Sequence, residues 1–234
     1  KTTVMDGHGG YMNGSRYYGE DLPINTWYMK RFAGLSEDGL SLWYYTDKET
    51  NEEKTTTTYS TGDFYLCGDP NPDLYGGFGT SITFHGFDLS TQFSYLVGGL
   101  TYDYGYAGMM GNPTATSVGN RWHKDVLKAW SPENPSSTIP RWYFNDLNTT
   151  GSSDRFLIDG SYLNLQNIQV GYTLPDSWTS HLKIKNLRLY FVCDNVYYWS
   201  KRKGLDPRRS ISGVGTSGKI APFRTYSGGI SLQF

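Results

Sequence analysis

The sequence predicts an all-β protein, an antiparallel transmembrane β-barrel segment of about five strands with long extracellular loops and a short loop helix. Three observations carry this expectation. The last ten residues alternate, with Tyr226, Gly228, Ile230, Leu232 and Phe234 on one face and Thr225, Ser227, Gly229, Ser231 and Gln233 on the other, as successive side chains of a strand must. Four earlier segments repeat that period of two. The connections between them alternate short and long, the pattern of a barrel with tight turns at one rim and long loops at the other.

Composition permits this reading and removes others. The 234 residues are few enough for one domain. Aromatics make up 16% with 20 Tyr, charged residues only 18%, and the net charge of −1 lacks the basic footprint of a nucleic-acid partner. Mean hydropathy is −0.54, and nothing approaches the roughly 20 apolar residues of a membrane helix. A barrel strand needs only about 10 residues with half of them apolar. Cys67 lies in a Gly/Pro-rich loop and Cys193 on an apolar strand face, so no disulfide is expected between them. The chain starts at Lys1 with neither Met nor signal sequence, as expected for a processed chain or part of a longer one.

In order along the chain, residues 1–76 read as an extracellular loop region with short strands. Gly, Asn, Asp and Pro punctuate runs such as Trp43-Tyr44-Tyr45, and the segment from Glu49 to Lys54 suits an exposed turn. Residues 77–234 read as C-terminal barrel strands and their loops. Phe78 to Phe84 alternates, His85-Gly86 makes a two-residue hairpin turn, and Phe87 to Val97 alternates again. Residues 103–160 are irregular apart from one helix, capped by Asn120, with Trp122, Val126, Leu127 and Trp130 on a stripe and Ser131-Pro132 as its end. Strands resume at Leu163–Leu174, Leu187–Trp199 and Thr225–Phe234. Leu163 and Leu165 are out of phase with Ile168, Val170 and Tyr172, which predicts a bulge near Gln166–Asn167.

Five strands do not close a barrel, and an open sheet in lipid leaves unsatisfied backbone edges. The segment is therefore expected to be completed by further strands of a larger barrel; the family resemblance drawn from the motifs below implies about 22 strands around a plug. By the same alternation Arg188, Tyr190 and Asp194 face the lumen and a plug. Arg188 and Asp194 are too far apart on one strand to pair, so each is expected to bond a neighbouring strand or the plug. The rings of Trp43, Tyr44, Tyr45, Tyr102, Tyr104, Tyr106, Trp142 and Tyr143 are candidates for contact with substrate or a lid, since aromatic faces bind sugar rings and partner proteins alike.

Other motifs carry less. Gly213 to Lys219 fits a phosphate loop, but Ile220 replaces the Ser/Thr and Ala221-Pro222 blocks the helix, which leaves an extracellular loop. Asp69-Pro-Asn-Pro-Asp73 opens like a calcium loop, yet Leu74 and Thr80 stand where Gly and Glu are required, so a rigid turn is the simpler reading. No cofactor is expected, with loop-bound calcium the one metal left open. The four histidines are not spaced for zinc, Glu37-Asp38 reads as a solvated turn, and no nucleophile–base arrangement supports an enzyme. Lys201, Arg202, Lys203, Arg208 and Arg209 cluster past a strand end, a solvated loop base that favours anionic partners such as lipopolysaccharide phosphates. Asn148-Thr-Thr matches a glycosylation sequon without further support.

An ordered set of motifs resembles a known family. Gly68-Asp-Pro-Asn-Pro-Asp-Leu-Tyr-Gly-Gly-Phe-Gly79, Gly86-Phe-Asp-Leu-Ser, Trp122-His-Lys-Asp, Ala129-Trp-Ser-Pro-Glu-Asn134, Ser161-Tyr-Leu-Asn-Leu-Gln-Asn-Ile168, Gly171-Tyr-Thr-Leu-Pro175 and the terminal strand look like the C-terminal barrel of SusC/RagA-like TonB-dependent outer-membrane transporters. The resemblance covers roughly residues 20–234. It implies an integral protein of a Gram-negative outer membrane that imports oligosaccharides or peptides. The implied partners are the rest of the barrel and its plug, a SusD-like surface lipoprotein, TonB-ExbB-ExbD, and outer-membrane lipid and lipopolysaccharide. It also implies that Tyr226, Ile230, Leu232 and Phe234 form the signal read by barrel-assembly machinery. Two rivals stand beside it: a soluble secreted carbohydrate-binding β-sandwich, which would hide its Ile230/Leu232/Phe234 face, and a passive porin or adhesin barrel.

Overall fold

The computed structural model describes residues 3–5, 8–115, 121–146, 148, 151–179, 184–209, 212–214 and 222–234. Its strands are β1 (Thr3–Met5), β2 (His8–Asn13), β3 (Arg16–Gly19), β4 (Thr26–Lys30), β5 (Phe32–Leu35), β6 (Ser41–Thr46), β7 (Glu53–Thr56), β8 (Phe64–Leu66), β9 (Leu74–Phe84), β10 (Phe87–Val97), β11 (Leu100–Tyr102), β12 (Leu157–Asp159), β13 (Tyr162–Thr173), β14 (Asn186–Ser200) and β15 (Thr225–Gln233). Two short helices are α1 (Tyr104–Met109) and α2 (Asp176–Thr179). Two compact units result, one from residues 1–71, 99–159 and 209–218, the other from residues 72–98, 160–208 and 219–234.

The second unit is one antiparallel sheet in the order β15-β14-β13-β10-β9. Neighbours in sequence are neighbours in space, so it is an up-and-down meander. Phe84 pairs with Phe87 across His85 and Gly86, whose φ angles of 47° and 84° are those of a type I′ turn. Leu74, Val97, Tyr162 and Ser200 lie at one end of the sheet, so every excursion into the other unit leaves from that end.

The expected bulge is present. Between β10 and β13 the pairing jumps from Gln92–Asn167 to Phe93–Leu165, which leaves Gln166 unpaired. Between β13 and β14 it jumps from Leu165–Tyr197 to Asn167–Asp194, so Asn195 and Val196 oppose Gln166 alone. Asn195 takes a left-handed φ of 52°, which Asn tolerates better than most residues. The shift restores the phase of the side chains: Leu163 and Leu165 stay on the same face as Ile168, Val170 and Tyr172.

Register then makes each face uniform. Ile82, Leu89, Val170 and Phe191 form one cross-strand row, and Phe84, Phe87, Tyr172, Leu189 and Ile230 form another. This apolar face is exposed: Phe191 is 50%, Ile230 66% and Phe234 74% accessible. Aromatic pairs mark both ends of it, Phe87–Tyr172 at 4.4 Å and Tyr197–Trp199 at 4.8 Å. The opposite face carries Ser90, Gln92, Ser94, Asn167, Gln169, Ser227 and Ser231.

The first unit is built from short strands: a sheet β1-β2-β3-β4-β8, a sheet β5-β6-β7 and the pair β11-β12. Residues 47–52 form the expected turn between β6 and β7. Trp27, Met29, Tyr102, Met110 and Phe156 make the core. Buried cations tie the loops together. Lys30 donates to the carbonyls of Tyr59 at 2.5 Å, Ser60 at 3.2 Å and Gly62 at 2.6 Å. Arg16 stacks over Trp27 and donates to the carbonyls of Asn25 and Ser212, and burial lowers its pKa to about 10.

The helix expected from Asn120 takes a different form. Asn120 lies outside the described residues, and the element is a five-residue 3-10 helix, Lys124–Lys128, capped by His123, whose Nδ1 accepts from Asp125 N. At three residues per turn the stripe does not form: Val126 packs toward the core while Leu127 is 90% exposed. α1 was not anticipated; Asp103 caps it by accepting from Tyr106 N.

Two glycines on the polar face accommodate larger neighbours. The Tyr190 ring lies over Gly229, and the Arg188–Asp88 ion pair passes over Gly171. A side chain built on Gly171 overlaps both charged groups, whereas one on Gly228 is 3.8 Å from its nearest neighbour, the Tyr190 carbonyl. Gly171→Leu is expected to destabilise the intact barrel by about 1–3 kcal/mol and Gly228→Ala to be nearly neutral, as measured by heat-modified electrophoretic mobility.

Candidate functional site

The polar face of the sheet carries charged and amide groups that bond across strands. Arg188 on β14 reaches over β13 to Asp88 on β10, with Nε–Oδ1 at 2.9 Å and Nη2–Oδ2 at 2.5 Å. This fork geometry is the strong form of an arginine–carboxylate pair. Asn167 Nδ2 donates to Asp194 Oδ1 at 2.7 Å. Arg188 and Asp194 thus bond neighbouring strands and not each other. Tyr190 stands between them with its ring 5.2 Å from the Arg188 guanidinium. All three sequence candidates share this face.

At the loop end Arg208 forks onto Asp206, with both N–O distances 2.8 Å, and donates to Asn164 Oδ1 at 2.5 Å. Its guanidinium lies 4.5 Å from the Tyr198 ring centre. Asp206 and Asn164 are buried, so Arg208 is not part of a solvated base as the charge run suggested. Asp206 is close in sequence and fixes it in place. The Arg209 side chain, His181 and residues 215–221, which hold most of the phosphate-loop match, lie outside the described residues.

The aromatic candidates of the first unit divide by burial. Trp43 and Tyr102 are 1% and 3% accessible and belong to the interior, which corrects the expectation that they offer contact faces. Trp43 packs edge-on against Phe32 and Tyr59, and burial raises the Tyr102 hydroxyl to about 12. Tyr44, Tyr45 and Tyr106 are half-buried, with Tyr106 donating to Asp125 Oδ2 at 3.1 Å. Tyr104, Trp142 and Tyr143 are exposed. Trp122, expected on a helix stripe, lies here beside Trp142. Trp122 and Trp142 meet edge-to-face at 5.4 Å, and both indole N–H groups donate to the Gly111 carbonyl at 3.2 Å. That shared anchor fixes both rings while leaving parts of them open. Beside it, a pocket of about 200 Å³ is lined by Tyr102, Tyr104, Ala107, Met110, Ser152 and Phe156. Among the described residues no carboxylate or cation lines it.

The described residues hold no group of three His, Cys, Asp or Glu able to bind a metal. In the Asp69–Asp73 segment Asp69 Oδ1 accepts from Asn71 N at 2.8 Å, the closed turn expected of that sequence. Cys67 and Cys193 are free thiols, and burial raises Cys67 to about 11. Tyr226, Ile230, Leu232 and Phe234 are all exposed on the apolar face.

No family model matches the chain. It is 29% identical to TonB-dependent receptor P3 of Formosa agariphila over 96% of its own length and 22% of that protein. It is 27% identical to TonB-dependent receptor SusC of Bacteroides thetaiotaomicron, over 76% of this chain and 17% of that one. Among solved structures, the RagAB peptide transporter superposes with a TM-score of 0.73 at 25% identity, covering 89% of this chain and 23% of that one. The RagAB peptide importer in the open-open state gives 0.75 at 26% identity, covering all of this chain and 25% of that one. The chain thus spans about a sixth to a quarter of the proteins it matches. Sequence and fold agree on one likeness, to a partial β-barrel of TonB-dependent receptors. Within that class the chain is similar to segments of SusC and of the RagAB transporter.

Replacing exposed rings should separate from replacing buried ones. Trp142→Ala with Tyr143→Ala is expected to leave folding of the full-length protein unchanged, as read by its resistance to limited proteolysis. Trp43→Ala is expected to cost about 3–5 kcal/mol of loop-unit stability, detected by limited proteolysis.

Proposed function

We propose that this chain forms part of a TonB-dependent outer-membrane importer of oligosaccharides that works with a SusD-like surface lipoprotein. The observation that carries the reading is the two-faced sheet: an exposed apolar face ringed by aromatics, and a polar face whose charges are paired. A soluble sandwich buries its apolar face. A lipid-facing barrel exposes it and turns the polar face to an aqueous lumen. At eleven residues β10 spans about 34 Å, which at the usual barrel tilt gives about 25 Å of depth, the height of an outer-membrane apolar band.

Outer-edge backbone groups of β9 and β15 require strands from the rest of the barrel, which also holds the plug. TonB with ExbB-ExbD supplies the energy that remodels that plug. The protein moves cargo and performs no chemistry on it. The fixed Trp122–Trp142 pair, with both rings partly open, supports an oligosaccharide cargo. A peptide cargo is the second reading, favoured by the likeness to RagAB.

Uptake of labelled oligosaccharides and peptides by cells carrying the full-length gene tests this. Oligosaccharide uptake that disappears when TonB is deleted is the expected result; uptake indifferent to TonB would point to a passive pore. Phe191→Arg on the apolar face is expected to cost about 2–4 kcal/mol of barrel stability near the midplane, while Asp194→Asn should affect transport and spare folding. Equal folding yields for the two variants in detergent would reverse the assignment of the faces.

A further inference from the structure

Helix α1 contains a glycine that neither its backbone nor its packing requires. Gly108 lies within the helix and has no left-handed φ. A Cβ built on it meets no atom within 4 Å. Glycine inside a helix is destabilising relative to alanine, so helix stability is given up here without a close contact to demand it. What Gly108 does border is the pocket beside α1, together with Tyr104, Met110 and Gly111. A larger side chain at 108 would extend into the open space that adjoins this pocket.

The pocket walls are mostly rings. Tyr102 lies 4.5 Å from Tyr104 and 6.1 Å from Phe156, centre to centre. The Tyr102 hydroxyl is held by Ser152, while Tyr104 is 38% accessible and keeps part of its ring free. The Gly111 carbonyl receives both indole N–H groups of the Trp122–Trp142 pair, which joins that pair to the pocket through one residue. Charge is turned away. Asp103, between Tyr102 and Tyr104 in sequence, accepts from Tyr106 N at 2.9 Å, and Arg155 lies 5.2 Å from the Phe32 ring centre and 5.1 Å from that of Phe156; neither lines the pocket. An anion entering it would lose water and gain no partner.

Aromatic faces edged by the hydroxyls of Tyr104 and Ser152 match a ring with apolar C–H faces and a hydroxylated edge. At about 200 Å³ the pocket is smaller than the roughly 300–1,000 Å³ of a whole-ligand site, so it takes one such ring and leaves the remainder outside. We propose that the pocket beside α1 is a subsite for a single uncharged pyranose ring of the cargo, that it discriminates against acidic sugars, and that Gly108 keeps it open. This subsite rests on the oligosaccharide reading above and adds charge selectivity to it.

The test uses the full-length protein in detergent, titrated calorimetrically with neutral hexasaccharides of glucose, mannose or xylose, with uronic-acid hexamers, and with hexapeptides. The wild type is expected to bind a neutral sugar and to bind the uronic-acid hexamers at least about tenfold more weakly. Gly108→Leu should weaken the neutral sugar about tenfold, as should Tyr104→Ala, and Gly108→Ala should weaken it by less. Both Gly108 variants should leave the loop unit at least as resistant to limited proteolysis as the wild type, a split between stability and binding that a purely structural glycine would not give. Gly228→Ala on the sheet is the unchanged control. Sugar binding unaltered by Gly108→Leu, or acidic hexamers bound as tightly as neutral ones, would overturn the subsite and leave the oligosaccharide reading intact. Binding of the peptides alone, or of none of the probes, would overturn that reading and the subsite with it.

Discussion

A peptide group in hydrocarbon has only other peptide groups to bond, and an unpaired one costs several kcal/mol. That constraint dictates the antiparallel ladder that runs unbroken from β15 to β9 apart from one bulge, and it forces the apolar side chains outward. It also places every irregular segment at the sheet's ends: chain that does not continue the ladder is gathered into a separate unit with its own small core. Within that unit the buried side chains of Lys30 and Arg16 donate to loop carbonyls.

The polar wall obeys a related rule. Asp88 and Arg188 are each compensated by the other, and the glycine beneath them keeps their path clear. Fork geometry spanning three strands adds a tie that backbone pairing does not supply, linking β10 directly to β14. Glycine here serves by its lack of a side chain, which lets side chains from the strands on either side meet over it.

The five long strands were legible because a period of two with opposite polarity on each face is a strong local signal. The phase break between Leu165 and Ile168 likewise located the bulge. Other features left little local trace. α1 carries two glycines in six residues, which disfavour helix, so only Asp103 hinted at it. A run such as Trp43-Tyr44-Tyr45 does not reveal which ring turns inward, because burial is decided by Phe32 and Tyr59, which are distant in sequence. The Arg188–Asp88 pair joins residues 100 positions apart. The Trp122–Trp142 corner depends on a carbonyl at Gly111, which no side-chain pattern displays.

The bulge at Gln166, Asn195 and Val196 has a mechanical meaning. Three residues there contribute nothing to the β13–β14 ladder, while the pairs on either side are continuous. A bulge sharpens local twist, so the sheet turns more strongly at this seam than in the continuous pairing on either side. Along β13 and β14 it is the point where the two stretches of wall are joined by the fewest ladder bonds.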